Sequence, residues 1–328
     1  MERVVVPGER IGFAVVACGP YARTCKAETF IESLCRIGGW QGPVFLFTEE
    51  PRCFDMENLR RLAGNDQIQL VKVEGFVRSG GVPFTLRFVR RRGVPWPEFT
   101  FRSSQVMNEA KTLKARLLDL CPDAAIEVLI YSDADAIVVR NDQMPALMKL
   151  ASEWSVAEGI KCRLEKREPD RPLEYTRSSR IHSGLLILHR RLSHRALEDW
   201  KKRLQNKNAW QRSPFDRDRF REAYDEIELR GIHPNYMHVE VIPEQAGIEG
   251  FSNMEHAHMI EHISFGRLWA NGHRSVEAYV DSFGLKSYPS GYYFLGPTPA
   301  WIKAIFYLGF FPSKWVFKIE NVAKRIFG

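Results

Sequence analysis

Between Ile126 and Asp142 the chain reads IEVLIYSDADAIVVRND, and this stretch limits the choice of fold more than any other. Val128–Tyr131 is an unbroken apolar and aromatic run. Such a run predicts a strand buried on both faces, which belongs to a sheet with helices on either side. Asp133 and Asp135 follow at once, separated by one alanine, and Ile137–Val139 is a second β-branched run. In covered sheets of this kind ligands gather beyond the carboxyl ends of the strands. Two hard oxygen donors placed there suit a divalent cation that keeps positions open for substrate phosphates.

The rest of the chain carries the pattern of such a sheet. Ile11–Cys18 predicts a first strand closed by Gly19-Pro20. Tyr21–Ile37 has helical spacing, with Phe30, Leu34 and Ile37 on one face and Gly38-Gly39 as the stop. Val44–Phe47 predicts a second strand, Met56–Leu62 a helix and Ile68–Val73 a third strand. Strands alternating with helices point to a parallel sheet with crossover helices. Ser103–Leu120 predicts a helix with Ala110, Leu113, Leu117 and Leu118 on one side, ended by Pro122. Met144–Ala151 and Leu192–Leu204 predict further helices, and Phe215–Tyr224 leads Asp216 and Asp218 into another. Trp154–Ala157, Ile181–His189 and Val239–Ile242 predict strands. Lys161–Arg180, dense in charge and holding Pro169 and Pro172, predicts a surface loop or lid. The expected fold class is α/β: a mixed, mostly parallel, Rossmann-like sheet flanked by helices.

A chain of 328 residues admits one large α/β domain or two modest ones. A formal net charge of +7 suits an anionic partner such as a nucleotide, a membrane surface or nucleic acid. Within Gly75–Ser104, Arg78, Arg87, Arg90, Arg91 and Arg92 lie among Gly, Pro and aromatic residues. Two readings stay open there: a solvated face, or a basic rim around an anionic ligand or lipid. No nucleic-acid-binding module accompanies these arginines, which argues against nucleic acid as the partner. The six cysteines form no CxxC pair, so neither a zinc cluster nor a thioredoxin-like site is indicated, and a reduced, cytoplasmic protein is expected. The first apolar run is broken by Pro7, Gly8, Glu9 and Arg10, unlike a signal peptide. No stretch reaches the roughly 18 uninterrupted apolar residues of a spanning helix.

The chain changes character after residue 297. Trp301, Ile302, Ile305, Phe306, Leu308, Phe310 and Phe311 run to Pro312, and Trp315, Ile319, Val322 and Ile326 then form a second stripe. From Trp301 to Gly328 there are five Lys or Arg against one Glu. Aromatic residues with basic flanks are what an interfacial helix needs. The expected organisation is therefore a catalytic domain over 1–297 and an amphipathic helical segment over 298–328. That segment either lies on the inner face of a membrane or packs as a helical pair on the domain.

Several stretches, taken together, resemble one family. KARLLDL (Lys114–Leu120), VLIYSDADAIV, HSGLLILHR, FDRDRF and HISFGRLW are similar, in order and approximate spacing over residues 11–270, to motifs of the nucleotide-sugar glycosyltransferases of the GT-A fold. The nearest likeness is to family 8, the glycogenin and bacterial lipopolysaccharide galactosyltransferase type. The resemblance implies a metal-dependent hexosyltransferase that uses a nucleotide-diphosphate sugar, in the first place a UDP-sugar, with retention of configuration. Its acceptor would be a glycan, a lipid-linked sugar or a protein. Asp133, Asp135 and His262 would hold the cation, and Arg116 would take the place of the donor-contacting arginine. Ala17, Tyr21, Ser183, Gly266 and Arg267 would line the donor. Asp216 and His182 would stand near the reacting sugar. Two carboxylates and an imidazole favour Mn²⁺ over Mg²⁺, imidazole being the softer ligand.

The departures are specific. His182 replaces the family's asparagine. Leu268 stands at the spacing of the diphosphate lysine, with Arg267 its neighbour, and the glycine is shifted to Gly266. The first strand lacks the family's acidic residue. Two other readings follow from the residues. One is a non-catalytic relative that binds a sugar nucleotide or a membrane. The other is a phosphatase whose first aspartate is a nucleophile, against which stand the position of the pair beyond residue 130 and Ile137 in place of the expected downstream residue.

Overall fold

The computed structural model describes residues 3–19, 22, 25–74, 84–91, 94–101, 109–142, 144–155, 159–165, 180–205, 226, 229, 239–242, 260–262 and 280–287. The amino-terminal half gives β1 (Arg3–Val5), β2 (Ile11–Val16), α1 (Lys26–Arg36), β3 (Val44–Thr48), α2 (Met56–Ala63) and β4 (Ile68–Lys72). A hairpin follows, β5 (Phe84–Arg91) and β6 (Val94–Phe101), and then α3 (Leu117–Leu120), β7 (Val128–Asp133) and β8 (Ala136–Val138). The remainder gives α4 (Met144–Ser152), β9 (Glu153–Ser155), β10 (Ile160–Glu165), β11 (Arg180–His189), α5 (His194–Leu204), β12 (Val239–Ile242) and β13 (Ile260–His262).

Seven strands form one sheet in the order β12-β10-β11-β7-β2-β3-β4. The pairings β2–β3, β3–β4, β2–β7 and β10–β12 are parallel, whereas β11 is antiparallel to both β7 and β10. Six strands therefore run one way, and β11 alone is reversed. The fold is mixed α/β with a mostly parallel sheet flanked by helices, in agreement with the expected class.

The unbroken apolar runs have a simple cause. Every residue of β2 and β3 is buried. Alternate side chains enter two separate cores, Phe13, Val15, Val44, Leu46, Val128 and Ile130 on one face, Ala14, Phe45, Phe47, Leu129 and Tyr131 on the other. The first core is closed by α1, α2 and α4 through Phe30, Leu34, Leu59 and Leu147. The second is closed by Leu117, Leu118 and α5, whose Trp200 is fully buried. Each large side chain buried in this way contributes about 1.5–3 kcal/mol.

Local chemistry sets the helix ends. Gly38-Gly39 stops α1 as the sequence predicts: Gly38 N–H donates to Ser33 O at 3.0 Å, and Gly39 takes the left-handed φ of 71° that favours glycine. Asp55 caps α2 by accepting Asn58 N–H at 3.0 Å. α1 begins later than predicted, at Lys26, after Cys25 with a φ of 51°. The predicted helix over 103–120 is helical at 109–113, tightens to a 3-10 turn at Lys114–Arg116, and resumes as α3.

One expectation is overturned. The loop or lid expected over Lys161–Arg180 begins with β10, a strand inside the sheet, and Lys161 is 1% exposed. Its ammonium donates to Leu150 O at 2.9 Å and Glu153 O at 2.6 Å and lies 4.4 Å from the Trp154 ring centroid. A charge so satisfied can be buried, and charge density alone misread this segment. Residues 166–179 lie outside the described residues, as do the predicted helix from Phe215 and the segment 298–328. Among the described residues no helix is long and apolar enough to cross a membrane.

The chain divides into two compact units, one of Met1–Val77 with Val106–Ser290 and the other of Arg78–Gln105 with Gly291–Gly328. In the second, the described residues are the β5–β6 hairpin, with Arg87 opposite Glu98 and Val89 opposite Trp96. Arg87, Arg90 and Arg91 thus lie on a ribbon where the sequence predicted no element.

Candidate functional site

The carboxyl ends of β2 and β7 lie side by side at the centre of the sheet, Val16 pairing with Asp133. The chain leaves β2 for β3 on one flank and reaches β7 on the other. The crevice between them is therefore a point where strand order reverses, the usual ligand position in open α/β sheets. Asp133 ends β7, and Asp135 lies in the turn before β8.

Asp133 is held in place by its neighbours. Its Oδ1 accepts the Tyr131 hydroxyl at 2.6 Å and the Lys114 ammonium at 3.2 Å. Lys114 also donates to Ser183 O at 3.2 Å and Ser183 Oγ at 2.9 Å, and lies 5.1 Å from the Tyr131 ring centroid. Ser183 N–H in turn donates to a carboxylate oxygen of Glu226 at 3.0 Å, and Glu226 is 6% exposed. One buried lysine thus ties the end of β7 to the start of β11. Asp135 has its own cation nearby: the Lys26 ammonium, 2% exposed at the start of α1, is pulled below its ordinary pKa by burial and back up by Asp135.

The reversal of β11 makes this arrangement reachable. A strand running with the others would bring its carboxyl end to the Asp133 rim. Because β11 runs the other way, its first residues reach that rim instead. His182 pairs with Arg163, and the β10–β11 register shifts between Cys162 and Arg163, so Ser183 and Gly184 sit at an irregularity that breaks the ladder beside Asp133. A bulge of this kind is a common way to aim a polar group at a site.

β13 supplies the third approach. It pairs antiparallel with β8, placing His262 opposite Ala136, the residue after Asp135. The backbone of the expected imidazole ligand thus reaches the two aspartates from a segment more than one hundred residues away in sequence. Hard carboxylate donors one residue apart, with Lys114 and Tyr131 holding the first of them from behind, fit a divalent cation of the Mn²⁺ or Mg²⁺ type. Among the side chains described, no group of three His, Cys, Asp or Glu could hold a metal; the His262 side chain is outside that set.

The expected donor-lining residues fall in different places. Ala17 is fully buried at the end of β2, its N–H donating to Phe47 O at 2.9 Å. Ser183 is buried in the Lys114 network. Arg116 is exposed. Lys114, two residues before it, is instead 4% exposed and bonded to Asp133 and Ser183, so the two cations of this turn have different surroundings. Tyr21, Asp216, Gly266 and Arg267 lie outside the described residues, and His182 and His262 are described through their backbones. Sequence reasoning missed Lys26, Lys114 and Glu226. The available signal was a lysine on the apolar side of each helix start, next to Phe30 in one case and Leu117 in the other.

Two further carboxylates are partly buried, Glu49 just after β3 and Glu28 in the first turn of α1. Glu49 accepts Gly19 N–H through Oε1, while its buried Oε2 meets no hydrogen-bond donor among the described residues. Burial, with Glu49 adding to it, pushes the Cys18 thiol far up. Glu28 has a buried Oε2 that meets no donor among the described residues, and burial raises its carboxyl from 4.5 to about 7. A carboxyl raised on folding keeps its proton where the unfolded chain has lost it. The contribution of Glu28 to stability therefore declines as pH rises from about 4.5 to about 7 and is flat above that. Glu28→Gln is expected to remove this decline and to be more stable than wild type at pH 8. Urea midpoints of both proteins at pH 5 and pH 8 check it, and equal pH dependence would discount the buried carboxyl.

No protein-family model and no curated protein matches the chain.

Proposed function

We propose that the protein is a metal-dependent glycosyltransferase of GT-A type that takes a hexose from a nucleotide-diphosphate sugar, a UDP-sugar first among them. The supporting observation is the position of Asp133 and Asp135, at the carboxyl end of β7 in the crevice where strand order reverses, with the His262 strand paired beside them. Nucleotides and their phosphates collect at such crevices in open sheets. The resemblance of the same residues to family 8 motifs gives the reaction class.

Asp133, Asp135 and the His262 imidazole would hold Mn²⁺, with Mg²⁺ as substitute. The cation would supply Lewis-acid stabilisation of the departing diphosphate oxygens. Tyr131 and Lys114 fix the Asp133 carboxylate, so that the carboxylate need not reorganise when the diphosphate binds. Lys26 and Lys114 supply fixed positive charge to a rim that would otherwise gather Asp133, Asp135 and Glu226. Arg267 and Arg116 remain the proposed diphosphate and donor contacts. Ser183 would stand beside the hexose, with His182 and Asp216 near its reacting carbon. The acceptor is a carbohydrate or lipid-linked glycan, and the basic aromatic segment 298–328 is the proposed contact with a membrane surface.

The test is a screen of UDP- and GDP-sugars for Mn²⁺-dependent binding, hydrolysis and transfer with the full chain. Release of nucleoside diphosphate that requires Mn²⁺ is expected with at least one donor. Neither binding nor metal dependence with any donor would overturn the reading.

A further inference from the structure

The segment 280–287 follows the His262 strand in sequence and is gripped by one face of α1. Glu32 is fully buried, and its carboxylate accepts Lys286 N–H at 2.9 and 3.0 Å through its two oxygens and Ser287 N–H at 2.7 Å. Arg36, one turn on, pairs with Glu32 at 3.0 Å and donates to Gly284 O at 2.9 Å. Thr29 Oγ1, one turn back, donates to Ser287 O at 2.8 Å. Thr29, Glu32 and Arg36 are spaced three and four residues apart and so share one helix face. Backbone N–H groups held by a buried carboxylate form charge-assisted bonds, stronger than neutral ones.

What this grip holds is as notable as how it holds. Val280 and Leu285 pack with Ile137 of β8 in a small separate core, with Ile37, Val139 and Phe283 beside it. Ser33, adjacent to Glu32, accepts Val138 N–H of β8 at 2.9 Å through its hydroxyl. β8 follows Asp135 directly and pairs with the His262 strand. The same helix thus binds β8 by one hydroxyl and, by three side chains, the segment that covers β8.

We infer that Glu32 is a positioning residue: by clamping 280–287 onto α1 it holds the β8–β13 pair, and hence the Asp135 and His262 side of the cation site, in register. The link to a cation rests on the proposed function, while the clamp and its coupling to β8 do not.

Amide hydrogen exchange on the full-length wild type and Glu32→Gln separates the two. The substitution keeps the size of the side chain but turns an N–H donor toward groups that now meet an acceptor. Exchange at Lys286 and Ser287 is expected to quicken by about 10-fold or more. Exchange at 136–138 and 260–262 is expected to quicken with it, while Phe45–Phe47 in the main sheet stays protected. Arg36→Met is expected to act in the same direction but less, and it serves if Glu32→Gln fails to fold. Faster exchange confined to 286–287, or none at all, overturns the inference. Calorimetric titration with Mn²⁺ alone is expected to show about 10-fold weaker binding in Glu32→Gln, and equal affinity in the two proteins also overturns it. A wild type that binds no Mn²⁺ defeats the proposed cation site instead, and the exchange at 136–138 then decides the clamp on its own.

Discussion

Asp135→Ala is expected to abolish Mn²⁺-dependent release of nucleoside diphosphate while the protein stays folded. Loss of an outer partner alone costs about 10- to 100-fold in metal affinity or activity. Removal of a direct ligand is expected to exceed the upper figure. Asp135 lies in a turn between β7 and β8, outside the sheet ladder, so its side chain contributes little to the packing. Its removal also takes away a charge that raises the Lys26 pKa. Lys26 is expected to titrate lower in the variant. The check is a donor-hydrolysis assay over a range of Mn²⁺ concentration, with circular dichroism to confirm the fold. Wild-type turnover in Asp135→Ala would eliminate the assigned cation site.

Lys114→Met is expected to have the largest effect on stability of any single change near the rim. The side chain is 5% exposed, pairs with Asp133, and also fills two acceptors of Ser183. Removing one member of a buried pair leaves the other charge uncompensated, at a typical cost of 3–5 kcal/mol. Asp133 is 27% exposed, so water relieves part of this, and a loss of about 3 kcal/mol is the better figure. Glu226 adds to the cost, since Lys114 reaches it through Ser183. Urea unfolding with an unchanged slope and a lower midpoint is the expected signature. Lys114→Arg should recover part of the loss, and a midpoint equal to wild type in Lys114→Met would show that the network contributes nothing.

These effects could not have been ranked without the tertiary structure, and the reason differs from residue to residue. Arg116 and Lys114 are equivalent by composition and two positions apart. Which one faces the aspartates depends on how the helical segment 109–120 packs on the sheet, which buries Lys114 beside Asp133 and Ser183 and leaves Arg116 exposed. Lys161 looked like one charge among many in a loop. Its burial depends on Trp154 and on two carbonyls contributed by α4 and β9, partners that no local pattern reveals. Glu32 is an ordinary helix glutamate until 280–287 arrives to be bound.

The sequence by itself determined the elements of the sheet and the position of its most informative residues. Continuous apolar runs named β2, β3, β7 and β11 because both faces of each are buried, and the helices announced themselves by period and by glycine stops. Asp133 and Asp135 stood at a strand end on sequence grounds alone, since a buried strand must finish where its first polar residues appear. The tertiary structure decided direction and meeting. Strand direction is set by which neighbour a strand pairs with, a long-range choice that a run of Val, Leu and Ile does not encode. Only the reversal of β11 brings Ser183 to Asp133, and only the pairing of β13 with β8 sets His262 opposite Ala136. Two carboxylates could be read from the chain, but the lysines, the serine and the clamped segment that hold them come together through contacts between residues far apart in sequence.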